Sequence, residues 1–341
     1  MIKKTFIATS LAALTVACGA QARDQVQIVG SSTVFPFATA VAEEVGKLSG
    51  AKTPIVESTG TGGGFKLFCS GGGGNTPDVA NASRQIKTSE VEQCANNSAG
   101  PIIEIKIGYD GIVLANARSA PQMKLSLLDI YKALAKELPV SEGKTAPNPN
   151  QTWKDVNPSL PDVKIEVMGP PPTSGTRDAF VELAMEGGCQ TFAWVKSLKG
   201  AYDPQYKQIC HSIREDGAWV DAGENDNLII QKLAANPNAF GVFGYSFLDQ
   251  NSDKVQGSLI DNIEPDFDMI AAGAYKISRP LFIYVKAGHL DSVPGLKPYI
   301  AEFISEKAWG PDGYLSEKGL VPLPDDERSK VHNDTVANAK L

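Results

Sequence analysis

Gln25-Val26-Gln27-Ile28-Val29-Gly30-Ser31-Ser32-Thr33-Val34-Phe35-Pro36 begins with polar and apolar residues in alternation, passes through a glycine and three hydroxyl residues, and ends on a proline. The alternation, with Val26 and Ile28 apolar, predicts a short strand over 25–30. Pro36 at a first helical turn, with Phe37, Val41, Val45 and Leu48 at helical spacing, predicts a helix from 36 to about 47. The same order recurs along the chain. The strand pattern at 53–57 runs into Ser58-Thr59-Gly60-Thr61-Gly62-Gly63-Gly64 and a helix near 65–69. A strand over 78–82 leads into Ser83-Arg84. A strand over 164–168 leads through Gly169-Pro170-Pro171-Pro172-Thr173-Ser174-Gly175-Thr176-Arg177 into a helix over 178–185. Strand, hydroxyl-rich loop, helix, repeated in this way, predicts an α/β fold.

Two stretches depart from that rhythm. Residues 102–117 and 277–285 alternate along runs that read as strands crossing between two lobes. One crossing is early and one is late, so the middle of the chain is expected to form one lobe and both ends the other. The expected division is 23–107 plus 281–341 for lobe 1 and 108–280 for lobe 2, two α/β lobes around a ligand cleft. Between these landmarks, 125–138 reads as an amphipathic helix and 144–157, rich in Pro and Asn, as a surface excursion. Helices are expected over 226–236, ended by Pro237, and over 298–309, with a strand at 240–245.

The 341 residues are 42% hydrophobic and 21% charged, which argues against disorder and against a multi-span membrane protein. With 32 basic and 39 acidic side chains, a net charge of −7 and no basic run, the chain is a poor match for nucleic acid. Three histidines leave little material for a His-based metal cluster. Residues 1–22 read as a secretory signal: Lys3 and Lys4, an apolar run over 6–17, then Ala20-Gln21-Ala22 as the cleavage site. Its removal takes away two lysines and no acids, bringing the charge to −9. A lipid anchor on Cys18 is the rival reading, with its expected Leu one place too far upstream. In an exported chain the other four cysteines, Cys69, Cys94, Cys189 and Cys210, suggest two disulfides. Three pairings are possible. Cys69–Cys94 with Cys189–Cys210 is preferred because it keeps each bridge local.

The hydroxyl-glycine loops at 31–33, 59–64 and 173–176 precede helix starts, where amide N–H groups are unpaired and the helix dipole is positive. Several such ends converging on one cleft make an oxyanion site that needs few full charges. A Ser or Thr before a helix is also an ordinary N-cap, and that reading stays open for each loop. Nucleotide motifs fail: Phe65 stands where G-x-G-x-x-G needs glycine, no Gly-Lys-Ser/Thr closes a P-loop, and no G-x-S-x-G elbow occurs.

The set Gly30–Pro36, Gly60–Gly64, Asn81-Ala82-Ser83-Arg84 and Ser174–Arg177 resembles the PstS family, the periplasmic phosphate-binding proteins of phosphate ABC importers. Trp153-Lys154-Asp155 and the 241–245 strand stand in the matching order. The resemblance implies a type II periplasmic-binding-protein fold, a periplasmic location, inorganic phosphate as ligand, membrane permease subunits as partners, a monomer, no cofactor and no catalysis. It implies ligand donors from Ser32, Thr33, Val34 and Phe35, from Thr61, Gly62 and Gly63, and from Ser174, Gly175 and Thr176, with Ser83 in the third motif. Two departures matter. The Asp that many relatives carry after Ala-Ser, which takes the ligand's proton, is here Arg84; the Arg they carry four places before Ser-Gly-Thr is here Pro170. Arg84 and Arg177 are therefore expected as the guanidinium partners of the oxyanion. The substitute acceptor is expected among Asp178, Glu224 and Asp226, or a backbone carbonyl. Sulfate, molybdate, arsenate or a phosphonate are the alternative ligands, and a secreted phosphate-ester hydrolase the alternative class.

Overall fold

The computed structural model describes residues 23–48, 50, 52–172, 174–223 and 226–341, so the signal, cleavage-site and Cys18 readings lie outside the described residues. Val26 and Ile28 are fully buried, so the expected alternation does place one face of the first strand in the core. That strand, β1 (Gln27–Gly30), pairs in parallel with β2 (Ile55–Ser58) on one side and β3 (Val79–Ala82) on the other. Helices α1 (Phe35–Leu48), α2 (Thr61–Phe68) and α3 (Thr88–Asn96) follow the three strands in turn. Parallel neighbours joined through helices are what strand–loop–helix repetition requires.

The two departures from that rhythm become the spine of the molecule. β4 (Ile102–Ala117) is 16 residues long and spans the range read from its sequence. The remaining strands of the main sheet are β5 (Val167–Gly169), β6 (Trp219–Asp221), β7 (Phe240–Gly244), β8 (Val255–Gly257) and β9 (Ser278–Lys286). The order across the nine-stranded sheet is β2-β1-β3-β9-β4-β7-β5-β6, with β8 also on β4. β4 thus belongs to two half-sheets. Residues 102–111 pair antiparallel with β9, and residues 112–117 pair with β7 or β8. The register of β4 against β9 shifts between Leu281 and Phe282, opposite Gly108 and Lys106. Gly108 has φ +152, and a Cβ there would lie 2.7 Å from the Val321 carbonyl oxygen. That close approach lets the C-terminal segment pair with the strand: Tyr109 N donates to Val321 O at 2.7 Å and Val321 N to Tyr109 O at 3.0 Å.

The helix expected over 125–138 is shorter, α4 (Leu127–Leu134), and Glu137–Ser141 instead pairs with Lys144–Pro147 as a hairpin. Gly143 takes φ +71 at the turn, and Pro139 is an unsuitable residue for a helix interior. The helix expected over 178–185 begins earlier, as α5 (Gly175–Phe180), and continues as a π-helical turn, Val181–Met185. α6 (Asp226–Ala235), α7 (Tyr245–Gln250) and the unanticipated C-terminal α8 (Asp325–Ala339) complete the elements used below. Both preferred disulfides are present, Cys69–Cys94 tying α2 to α3 and Cys189–Cys210 within the second half.

Candidate functional site

The loop after β1 is bent by Gly30, whose φ is +133 and where a Cβ would lie 2.2 Å from the Asn81 carbonyl oxygen. Ser31 N donates to that oxygen at 3.0 Å, and Phe35 N to Ser31 O at 3.0 Å, which starts α1. Ser32 and Thr33 are thereby held at the carboxyl ends of parallel strands, where α/β sheets hold ligands. Facing them is the loop before α5. Ser174 caps that helix, its Oγ accepting from Thr176 N at 3.2 Å. A hydroxyl oxygen used as a cap acceptor still has its O–H to donate, so cap and ligand donor are compatible roles for Ser174.

The two loops touch. A Cβ on Gly175 would lie 2.7 Å from Ser32 O and from Thr33 Cα. Ser32 Oγ donates to Asp178 Oδ2 at 2.7 Å. Between the loops lies a cavity of about 340 Å³. Ser32, Thr33, Phe35, Ser174, Gly175, Thr176 and Asp226, all expected from sequence, line it.

Not all the expected residues gather there. Val34 is fully buried under α1. Thr61 Oγ1 shares a hydrogen bond with Ser83 Oγ at 3.0 Å and accepts from Ser83 N at 3.1 Å; these two, with Gly62 and Gly63, are absent from the cavity wall. Arg84 is held by the Glu90 carboxylate, at 2.9 and 2.7 Å, and its guanidinium lies over the Phe65 ring. Arg177 reaches Asp221 Oδ1 at 3.3 Å and the Pro170 carbonyl at 3.2 Å, and stacks on Trp219. The structure therefore does not bring either guanidinium to the cavity wall: each is committed to a carboxylate on a neighbouring element. Thr173 and Glu224 lie outside the described residues.

Two residues that the sequence reading passed over sit at the centre. Asp110 on β4 lines the cavity and is buried. Arg279 on β9 is buried behind it, its Nε 3.4 Å from Asp110 Oδ2. The same guanidinium donates to Thr33 Oγ1 at 2.7 Å and to Glu182 Oε2 at 2.5 Å. Burial pushes the Asp110 carboxyl above its ordinary range; Arg279 pulls it back and Glu182 adds to the rise. The signal was in the sequence: a carboxylate and a guanidinium each stand inside a crossing strand, where Glu104, Lys106 and Lys286 are the other charged residues. The wall thus offers hydroxyl donors and two carboxylates, Asp110 and Asp226, with Lys318 as the cation among its lining residues. Among the described residues no group of three His, Cys, Asp or Glu is arranged to hold a metal.

The PBP superfamily domain matches residues 15–307. The phosphate-binding protein PstS of Staphylococcus epidermidis is 32% identical over 266 residues, 75% of this chain and 67% of that protein. The chain belongs to the PstS-type phosphate-binding family of the PBP superfamily. Protein SphX of Synechococcus elongatus is 30% identical over 301 residues, 86% of this chain and 76% of that protein. A crystal structure described as that of a possible phosphate binding protein from Planctomyces limnophilus superposes with a TM-score of 0.72 at 26% identity, over 92% of this chain and 98% of the other. The type II fold that the resemblance implies is thus the fold of its relatives. PstS-type proteins are exported substrate-binding components of transporters and not enzymes, which sets the hydrolase alternative aside.

Proposed function

We propose that the chain captures inorganic phosphate between the 31–35 and 174–176 loops and delivers it to the permease of an ABC importer. The observation that carries the choice of ligand is the pair of carboxylates on the cavity wall. Asp110 and Asp226 both line it, and both are buried. An oxyanion that is ionised throughout has only acceptors to set against them. Two buried acceptors facing each other cost about 1–3 kcal/mol or more. Monohydrogen phosphate carries a proton to donate, and its other oxygens accept from donors of the 31–35 and 174–176 loops. Asp110 is the better acceptor of the two, because Arg279 beside it offsets the added negative charge. On this reading the acceptor comes from the crossing strand and compensates for Arg84 in the third motif.

The test is competition between labelled phosphate and sulfate on the native chain and on Asp110→Asn. The native chain should keep phosphate against a large excess of sulfate. The variant should lose phosphate affinity by about a hundredfold, roughly 2.7 kcal/mol, and lose most of its preference. Unchanged preference in the variant would remove Asp110 from this role, and sulfate displacing phosphate from the native chain would overturn the ligand.

A further inference from the structure

A second, larger concavity of about 1040 Å³ opens beside the first, on the other side of Gly319 and Leu320. One wall is α7 with Phe267, attached to the second half-sheet through β7 and β8; the other is the 311–326 segment, which pairs with the first half of β4 through Val321. Its floor is apolar, built by Tyr245, Phe267, Leu320, Pro322 and Leu323, and its volume is at the upper end of what ligand clefts have. Its rim carries Asp249, Asp312, Glu317, Asp325 and Asp326, and no lysine or arginine lines it. Among the described residues only Asp325 of these five has an ion pair, to Arg328 at 2.8 Å. The Tyr245 hydroxyl registers the field: burial and the nearby Asp249, Asp266 and Asp268 push it up to about 12.

We propose that this groove is a docking site for a segment of a partner protein that presents apolar side chains between two basic ones. The apolar floor takes the first and the exposed rim carboxylates take the others, without the cost of burying charge. The alternatives fit less well. An anion has the wrong sign. The rim acids are too dispersed to cage a metal, none of them belonging to a group of three possible ligands. A second copy of this acidic chain would bring more negative charge to the groove. Because the two walls belong to different half-sheets, an occupant that fits one arrangement of them shifts the equilibrium between arrangements. Where the arrangement that the segment fits is the one that holds phosphate, phosphate and the segment each raise the other's affinity by the same factor. This last step rests on the phosphate reading above; the groove itself does not.

The probe is an acetylated, amidated Lys-Leu-Phe-Lys peptide, with Glu-Leu-Phe-Glu as its control, titrated calorimetrically into the mature chain at low salt with and without phosphate. The basic peptide should bind and the acidic one should not. Asp312→Lys combined with Glu317→Lys should weaken binding about tenfold or more while leaving the phosphate isotherm unchanged, and phosphate should tighten the peptide about threefold or more. Equal binding of the two peptides, no heat up to about 10 mM, or an unaltered isotherm in the double variant would overturn the docking site, as would a dimer in the native chain that the double variant abolishes. Peptide binding that ignores bound phosphate would overturn the coupling. A flat phosphate isotherm would instead sink the transport reading, leaving the phosphate-free arms to decide the groove.

Discussion

Arg279 Nη2 donates to Thr33 Oγ1 at 2.7 Å although 246 residues separate them. Thr33 belongs to the loop after the first strand, while Arg279 stands near the start of the last strand and also holds Glu182, at the π-helical turn of the second half. One buried guanidinium thus joins the first hydroxyl loop, the crossing-strand carboxylate Asp110 and the second half of the molecule. It fixes the geometry of the cavity through Thr33 and Asp110, which line it.

Arg279→Met should therefore weaken both fold and site. Removing one partner of a buried pair costs about 3–5 kcal/mol when the other stays charged. Here the expected loss is about 3 kcal/mol, the lower end of that range, because Glu182, the other carboxylate that Arg279 holds, is half exposed to water. Urea unfolding reads the stability, and phosphate titration should show a loss of about tenfold or more as Thr33 loses its donor. Arg279→Lys keeps the charge without the planar fork and should fall between the two. Native-like affinity in the methionine variant would contradict the assignment.

Gly175→Ala tests the contact between the loops. The added methyl would meet the backbone of Ser32 and Thr33, which cannot rotate away as a side chain would. The loops must separate to accommodate it. Phosphate affinity should fall about tenfold or more, with thermal stability within about 1 kcal/mol of native, since the strain is relieved by opening rather than unfolding. Unaltered affinity would show that the loops need not meet around the ligand.

Far from the cleft, Lys286 is fully buried, its Nζ donating to Gly71 O and Thr76 Oγ1, both at 2.6 Å. Burial lowers it to about 8; neighbouring Arg23 adds to the fall and Asp78 opposes it. The unfolded chain binds this proton up to about pH 10.5, so between pH 8 and 10.5 it holds more protons than the folded chain. Stability contributed by this group must then rise with pH across that window, by about 3 kcal/mol in all. The difference in urea stability between the native chain and Lys286→Met isolates this from tyrosine ionisation. It should move in favour of the native chain from pH 8 to pH 10, and a flat difference would contradict it.

Much of the fold was legible because its signals are local. Alternation at Val26 and Ile28, the proline opening α1 and the long run of β4 each depend on a few neighbouring residues. The two disulfides followed from export and short loops. The cavity wall was legible where a loop announces itself, at Ser32-Thr33 and Ser174-Gly175-Thr176. What escaped was long-range. Asp110 and Arg279 sit in strands read for their length, and only the antiparallel register, which sets Arg279 opposite Asp110, brings the pair together. Arg84 and Arg177 were placed at the ligand because they adjoin the right motifs, but a guanidinium reaches well beyond its own loop. Glu90, at the third position of α3, and Asp221, at the end of β6, take them instead. The hairpin at 137–147 and α8 were missed because neither carries a strong apolar period.

The most direct measurement is calorimetric titration of the mature, ligand-stripped chain with phosphate and with sulfate, below and above the second ionisation of phosphate. Tight phosphate binding is expected at both pH values, with no sulfate heat at either. Sulfate binding comparable to that of phosphate, or no phosphate heat at all, would contradict the claim that the carboxylate-walled cavity selects an oxyanion by the proton it carries.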